Sequence, residues 1–104
     1  MNKHQRDALI AALQVPPNEG GYVKTEGTLV REAGGGNYTD TFCCLGVACD
    51  IFELWEKDGY QQGGGLTPKQ MRTLGMSLSE HAQLARINDR SNTFAPVIAA
   101  LRGM

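Results

Sequence analysis

The chain has 104 residues, of which 41% are hydrophobic and 20% are charged. That length and composition predict a single domain, residues 1–104, with enough apolar side chains for a modest core. The 10 basic and 11 acidic side chains leave a net charge of −1, which excludes the strongly basic surface that generic nucleic-acid binding requires.

The beginning of the chain lacks the pattern of a secretory signal. Residues 1–6 are polar, and the apolar stretch 8–13 is shorter and more interrupted than a signal sequence requires. No run approaches the roughly 20 apolar residues that span a bilayer. We therefore expect a cytoplasmic protein without membrane association.

Two elements are predicted in the first third of the chain. Apolar side chains recur at helical spacing over about 3–14, and Pro16 with Pro17 prevents the helix from continuing. The stretch 22–32 has β-branched residues on both sides of Gly27, as a hairpin or two short strands would, and we predict a small β-hairpin. Glycines at 34–36 predict a loop after it.

The segment 41–57 is the most hydrophobic part of the chain. On a helical wheel its apolar side chains cover most of the circumference and leave only a narrow polar strip. A helix of this kind packs against neighbours on most sides, so we predict a central helix here. The polar strip consists of Gly46, Asp50, Glu53 and Lys57.

Three shorter helices are predicted in the second half of the chain. Thr67 and Ser77 each stand at the first position of a capping box, and Thr93 is a good N-cap. These helices are expected to end near Leu74, Asn88 and Gly103. The predicted fold is therefore a mainly helical α+β domain, with four or five helices around the central helix and one small hairpin.

Three cysteines, Cys43, Cys44 and Cys49, lack the paired C-x-x-C spacing of a zinc or redox site. On one helix their thiols would point about 100–140° apart, so we predict reduced, buried side chains. A pair of Cys44 or Cys49 with His81 stays open as a catalytic alternative. The sequence itself predicts no catalytic set, no metal and no cofactor.

Several polar and aromatic residues are candidates for binding. Gly46 and Asp50 lie one helical turn apart, where glycine admits close approach by a backbone or a ligand. Asp50 could pair with an arginine or with a loop amide. Aromatic side chains concentrate binding energy at interfaces, which draws attention to Trp55, Tyr22 and Tyr60. The candidate binding residues are Arg31, Gly46, Asp50, Trp55, Asn88, Asp89 and Arg90.

The segment 42–50 reads FCCLGVACD and is followed by LARIND at 84–89 and by Phe94. This order resembles a family of small phage and prophage proteins with the signature CCLGVLCD, then a WLG-like helix, then LNDxxxxF. The chain departs from that signature at Ala48, where leucine is usual, and at Thr73, where tryptophan is usual. The resemblance implies a viral accessory protein and transfers no catalytic residue.

Three functions follow as hypotheses. The first is a non-enzymatic phage protein that binds and modulates a host factor, as in host takeover or anti-defence. The second is an oligomer that sequesters a nucleotide or another small anion through glycine-loop amides and arginines such as Arg31, Arg72 and Arg90. The third is a cysteine-dependent enzyme or a metal protein. Homo-oligomerisation is compatible with all three.

Overall fold

A computed structural model describes residues 1–33, 40–56, 60–61 and 63–104. In these ranges the chain forms a mainly helical α+β fold, as predicted, with five α-helices and a three-stranded sheet. None of these helices combines the length and the apolar character needed to cross a bilayer. The elements in chain order are α1 (Lys3–Gln14), β1 (Val23–Lys24), β2 (Val30–Arg31), β3 (Thr41–Phe42), α2 (Cys44–Ile51), α3 (Pro68–Thr73), α4 (Leu78–Asp89) and α5 (Ala95–Arg102).

Local capping chemistry sets the starts of the surface helices. Capping boxes begin α1 at Asn2, α3 at Thr67 and α4 at Ser77, each with a glutamine or glutamate that returns a hydrogen bond. For α5 the predicted cap is one residue early. The N-cap is Phe94, and the Thr93 hydroxyl accepts a hydrogen bond from the Ala95 N–H at 3.3 Å.

The central helix α2 is shorter than the predicted 41–57. It spans Cys44–Ile51, and residues 41 and 42 form a strand instead. The helix ends because Glu53 adopts a left-handed conformation with φ of 54°, which lets the Leu54 N–H turn back to the Cys49 carbonyl at 2.8 Å. The predicted end at residue 57 lies outside the described residues, as do the glycines at 34–36.

The stretch 22–32 forms two short strands, but these strands do not pair with each other, so the predicted hairpin is wrong. The strand order is β1-β3-β2, so β3 lies between the two strands that were expected to pair. It runs parallel to β1, with Val23 opposite Thr41, and antiparallel to β2, with Arg31 also opposite Thr41. Both β1 and β2 are therefore edge strands of the sheet.

The core forms around α2, as expected for a helix that is apolar on most sides. This helix packs against α1, α4 and β3. Its residues 44–49 are all buried, together with leucines from α1, α4 and α5 and from the segments that precede β2 and flank α3. Leu9, Leu29, Leu74, Leu84 and Leu101 are almost completely inaccessible to solvent.

Candidate functional site

Asn88, a predicted binding residue, connects three parts of the fold. Its side chain is fully buried, and its Oδ1 accepts from the Cys44 N–H at 3.1 Å at the start of α2. Its Nδ2 donates to the Thr25 carbonyl at 3.0 Å, after the end of β1. The neighbouring Asp89 accepts from the Gly27 N–H at 2.9 Å. The structure thus gives this pair of residues backbone partners from the segment 25–27 and the start of α2.

Gly46 lies against the backbone of Leu29. A Cβ at this position would lie 1.9 Å from the Leu29 carbonyl oxygen, far inside van der Waals contact. The same oxygen accepts a hydrogen bond from the Cys43 N–H at 3.0 Å. The predicted close approach at Gly46 is therefore between α2 and the residue that precedes β2.

Asp50, one turn further along α2, has partners that the sequence did not indicate. Its carboxylate accepts from the Tyr22 hydroxyl at 2.5 Å and from the Trp55 Nε1–H at 3.2 Å. Among the described residues no lysine or arginine forms an ion pair with it. Two neutral aromatic donors thus take the place of both predicted partners, the arginine and the loop amide.

These aromatic side chains continue into a chain of edge-to-face contacts. Tyr22 and Phe42 have ring centroids 5.0 Å apart, Phe42 and Tyr60 are 5.6 Å apart, and Trp55 and Tyr60 are 5.2 Å apart. Such geometry is favourable for aromatic quadrupoles. Phe42 is buried, whereas the other three rings and Asp50 are half-buried. The Asp40 carboxylate lies beside the Tyr60 hydroxyl. We call Tyr22, Phe42, Trp55, Tyr60, Asp40 and Asp50 the aromatic–carboxylate cluster.

The charge of this cluster is negative. Burial raises the pKa of the Tyr60 hydroxyl, and the nearby carboxylates of Asp40, Asp50 and Glu32 raise it further. Burial and the hydrogen bond to Asp50 likewise raise the pKa of Tyr22 far above its usual value. Both hydroxyls therefore stay protonated at neutral pH, and the carboxylates carry the charge. Asp40 and Glu32 were not predicted as site residues, because neither belongs to a recognisable sequence pattern.

The two arginines among the predicted binding residues lie on different elements of the fold. Arg31 is exposed on the edge strand β2, opposite Thr41, and Arg90 is the exposed C-cap of α4. Arg72, the third predicted arginine, lies on α3, so the three belong to different parts of the fold. The predicted glycine loop at 63–65 also has a structural role, since the Gly63 carbonyl accepts from the Leu29 N–H at 2.8 Å.

All three thiols are buried and unpaired with one another. The Cys43 Sγ accepts from the Gly46 N–H at 3.4 Å, and the Cys44 thiol donates to the Leu84 carbonyl at 3.8 Å. Burial raises the pKa of each thiol, that of Cys49 to about 12. Within the described ranges no three His, Cys, Asp or Glu side chains are arranged to hold a metal ion.

His81 is positioned by a loop. Its Nε2 accepts from the Leu66 N–H at 2.9 Å, and a Cβ at Gly65 would contact its ring at 2.9 Å. Burial lowers the pKa of the imidazole, so the neutral form that can accept this bond is favoured. The ring supports the loop before α3.

An apolar cleft of about 480 Å³ opens next to the cluster, between the end of α1, the strand β1 and the start of α5. Val15, at the edge of the cleft, is 41% exposed. Among the described residues, Leu78 is the other large hydrophobic side chain that is exposed to solvent. Tyr22 belongs to both the cleft and the aromatic–carboxylate cluster. Residues that line the apolar cleft include Val15, Pro16, Tyr22, Val23, Lys24 and Ile98.

Comparisons of the chain with protein-family models, with curated proteins and with solved structures find no match.

Proposed function

We propose that this chain is a non-enzymatic accessory protein of a phage, which binds a host protein and modulates it. The aromatic–carboxylate cluster is the proposed contact surface, and a basic side chain of the partner is the group that it recognises. The resemblance of FCCLGVACD and the LND segment to phage proteins supports the viral origin in this proposal.

One observation carries the choice of surface. The Asp50 carboxylate is half-buried, and its two hydrogen bonds come from neutral groups, the Tyr22 hydroxyl and the Trp55 indole. Neutral donors orient a carboxylate without cancelling its charge. A partly desolvated anion of this kind attracts a cation more strongly than one fully in water.

The surrounding side chains suit the same ligand. The faces of Tyr and Trp rings attract cations through their quadrupole, and the carboxylates of Asp40 and Glu32 add negative charge beside Tyr60. An arginine guanidinium combines a planar, weakly hydrated cation with several donors. Arginine or lysine on a protein partner is therefore the chemistry that complements this surface.

The other two functions have weaker support. A thiol nucleophile needs a lowered pKa and access to substrate, whereas these thiols are buried and their pKa values are raised. An anion site needs converging cations, whereas Arg31 lies on β2 and Arg90 at the end of α4. No specific observation favours either of these functions over a protein-binding one.

The test is capture of a partner by tagged protein produced in bacterial cells, with the bound proteins identified by mass spectrometry. Asp40→Asn with Asp50→Asn removes two charges of the cluster and nearly preserves side-chain shape. Asp7→Asn is a control of the same type on the exposed face of α1. We expect a stoichiometric partner with the native chain and the control, and an affinity about tenfold lower with the double variant.

Two results would contradict the proposal. One is the absence of any stoichiometric host protein on the native chain. The other is a partner that the double variant retains as tightly as the native chain does. Native mass spectrometry of the gently purified protein complements the capture, because a retained nucleotide or metal would support the sequestering or metal function instead.

A further inference from the structure

We propose that the partner inserts an extended segment into the apolar cleft, where it pairs with β1 as a fourth strand and places a basic side chain beside Asp50. This inference rests on the proposed function and specifies its binding mode. It assigns to β1 a role that neither the motifs nor the cluster had indicated.

The position of the cleft relative to β1 is the first argument. Tyr22, Val23 and Lys24 are consecutive, and all three line the cleft. Side chains of consecutive strand residues point to opposite faces of a sheet. Tyr22 stands just before β1, and together with Val23 and Lys24 of that strand it borders one cavity, as expected when the cavity runs along the free edge of the strand. The sheet order β1-β3-β2 makes β1 such an edge.

The backbone of Lys24 is the second argument. The Thr25 N–H donates to the Phe42 carbonyl at 2.9 Å, so Thr25 directs its donor towards β3. Neighbouring residues of a strand direct their backbone groups to opposite sides. The N–H and C=O of Lys24 therefore point away from β3, towards the cleft. Among the described residues no hydrogen bond outside the sheet involves either group.

An unpaired donor and acceptor side by side at an edge strand are a template for one more strand. A helix cannot use them, because its own backbone groups are already paired. This geometry selects an extended chain. The walls select apolar side chains, since Val15, Pro16 and Ile98 line the cleft and buried apolar area supplies the affinity.

Charge fixes the register of the added strand. Tyr22 and Lys24 lie on the face of β1 that carries Phe42, because Lys24 is paired with Phe42 and the Tyr22 and Phe42 rings are in contact. A residue opposite Tyr22 would lie about 5 Å from it, within reach of Asp50 for a long basic side chain. One pair further along is Lys24, whose ammonium group already pairs with Glu26 at 3.4 Å, so a cation is favoured beside Asp50 rather than there.

The experiment selects binders to the intact chain from displayed random peptides of about 10 residues, the length of a long strand. We expect the enriched peptides to alternate apolar residues and to share one arginine or lysine. Amide hydrogen exchange of the ¹⁵N-labelled protein then follows the Lys24 N–H, with and without an enriched peptide. Pairing should slow its exchange about tenfold or more.

Two variants distinguish the contribution of the Lys24 backbone to peptide binding from that of its side chain. Lys24→Pro removes the outward N–H, which an edge strand tolerates when that group faces away from its neighbour, and Lys24→Ala removes only the side chain. We expect Lys24→Pro to weaken peptide binding about tenfold more than Lys24→Ala does. If Lys24→Pro fails to fold, the exchange measurement on the native chain still decides.

The inference is overturned if no peptide is enriched, if the Lys24 N–H exchanges equally fast in the complex, or if both variants bind alike. The proposed function fails separately, when the native chain captures no host protein. A host partner that depends on Asp40 and Asp50 but not on the Lys24 N–H would leave the function intact and exclude this binding mode.

Discussion

The two ends of α2 differ in how deeply their hydrogen-bonded polar groups are buried. At the start of the helix, Cys43 and Cys44 donate to a backbone carbonyl and to the Asn88 amide, and everything is buried. At the end, Asp50 is half-buried and its partners are two side chains, Tyr22 and Trp55. Fully buried partners restrict the start of the helix to a structural role, whereas half-buried side-chain partners leave the Asp50 carboxylate free to exchange them for a ligand.

Five of the predicted binding residues fall into two groups. Gly46, Asn88 and Asp89 contact the backbone of segments distant in the chain, so substitutions there should change stability first. Asp50 and Trp55 border the surface, so substitutions there should change binding first. The following predictions test that division.

The largest effect is expected for Gly46→Ala. The new methyl group would overlap the Leu29 carbonyl, which is backbone and cannot rotate away. We expect a loss of about 3 kcal/mol in the free energy of unfolding, measured in urea. Gly103→Ala is the control, because a Cβ there meets its nearest atom at an ordinary 3.6 Å. A cost below about 1 kcal/mol for Gly46→Ala would disprove the close approach.

Asn88→Ala should be nearly as destabilising. It leaves the Cys44 N–H and the Thr25 carbonyl without their partner in a buried region. Each orphaned group costs about 1–3 kcal/mol, so we expect a total of about 2–4 kcal/mol. Asn92→Ala, at an exposed position of the α4–α5 turn, should cost less than about 0.5 kcal/mol. Equal losses for the two variants would show that Asn88 does not connect these segments.

Cys49 should stabilise the fold in a pH-dependent way. Cys49→Ala leaves a small cavity beside α2 and should cost about 1–2 kcal/mol at pH 7. Burial raises the pKa of the Cys49 thiol from its ordinary value of 9.0 to about 12 in the folded protein. The unfolded chain therefore loses the proton first, and the advantage of the native chain over the variant shrinks as the pH rises above 9. Urea titrations at neutral and alkaline pH measure this difference, and a constant difference would refute it.

The smallest effect is expected for Glu53→Gly, which should increase rather than decrease the free energy of unfolding. A φ of 54° is unfavourable for a residue with a Cβ, so Glu53→Gly should stabilise the protein by about 0.5–1 kcal/mol. Glu53→Ala removes the carboxylate without relieving the backbone and should give no gain. Thermal unfolding of both variants distinguishes the two causes. If alanine stabilises as much as glycine, charge rather than conformation is responsible.

Helix starts were predictable because their signals are local. The boxes at Thr67 and Ser77 place donor and acceptor three residues apart, and both helices begin where those residues indicate. The burial of the three cysteines was predictable in the same way, from the apolar character of their segment. Local sequence patterns therefore predict α1, α3, α4 and α5 closely, and α2 only in its approximate position.

The remaining features depend on contacts between distant residues. The end of α2 has no glycine or proline to mark it, since Glu53 adopts the left-handed conformation that glycine usually supplies. The place of β3 between β1 and β2 is a matter of long-range pairing, which a local alternation cannot reveal. The partners of Asp50 come from residues 22 and 55, and only the folded backbone brings the first of these close.

The bonds of Asn88 also determine the order in which the chain can fold. They join this residue to positions 44 and 63 places earlier, so the start of α2 and the end of β1 receive their last partner only when α4 is present. During synthesis the most hydrophobic segment of the protein emerges well before that partner does. Contacts of such long sequence separation slow folding. A nascent chain that stops before α4 should therefore expose α2 and need a chaperone.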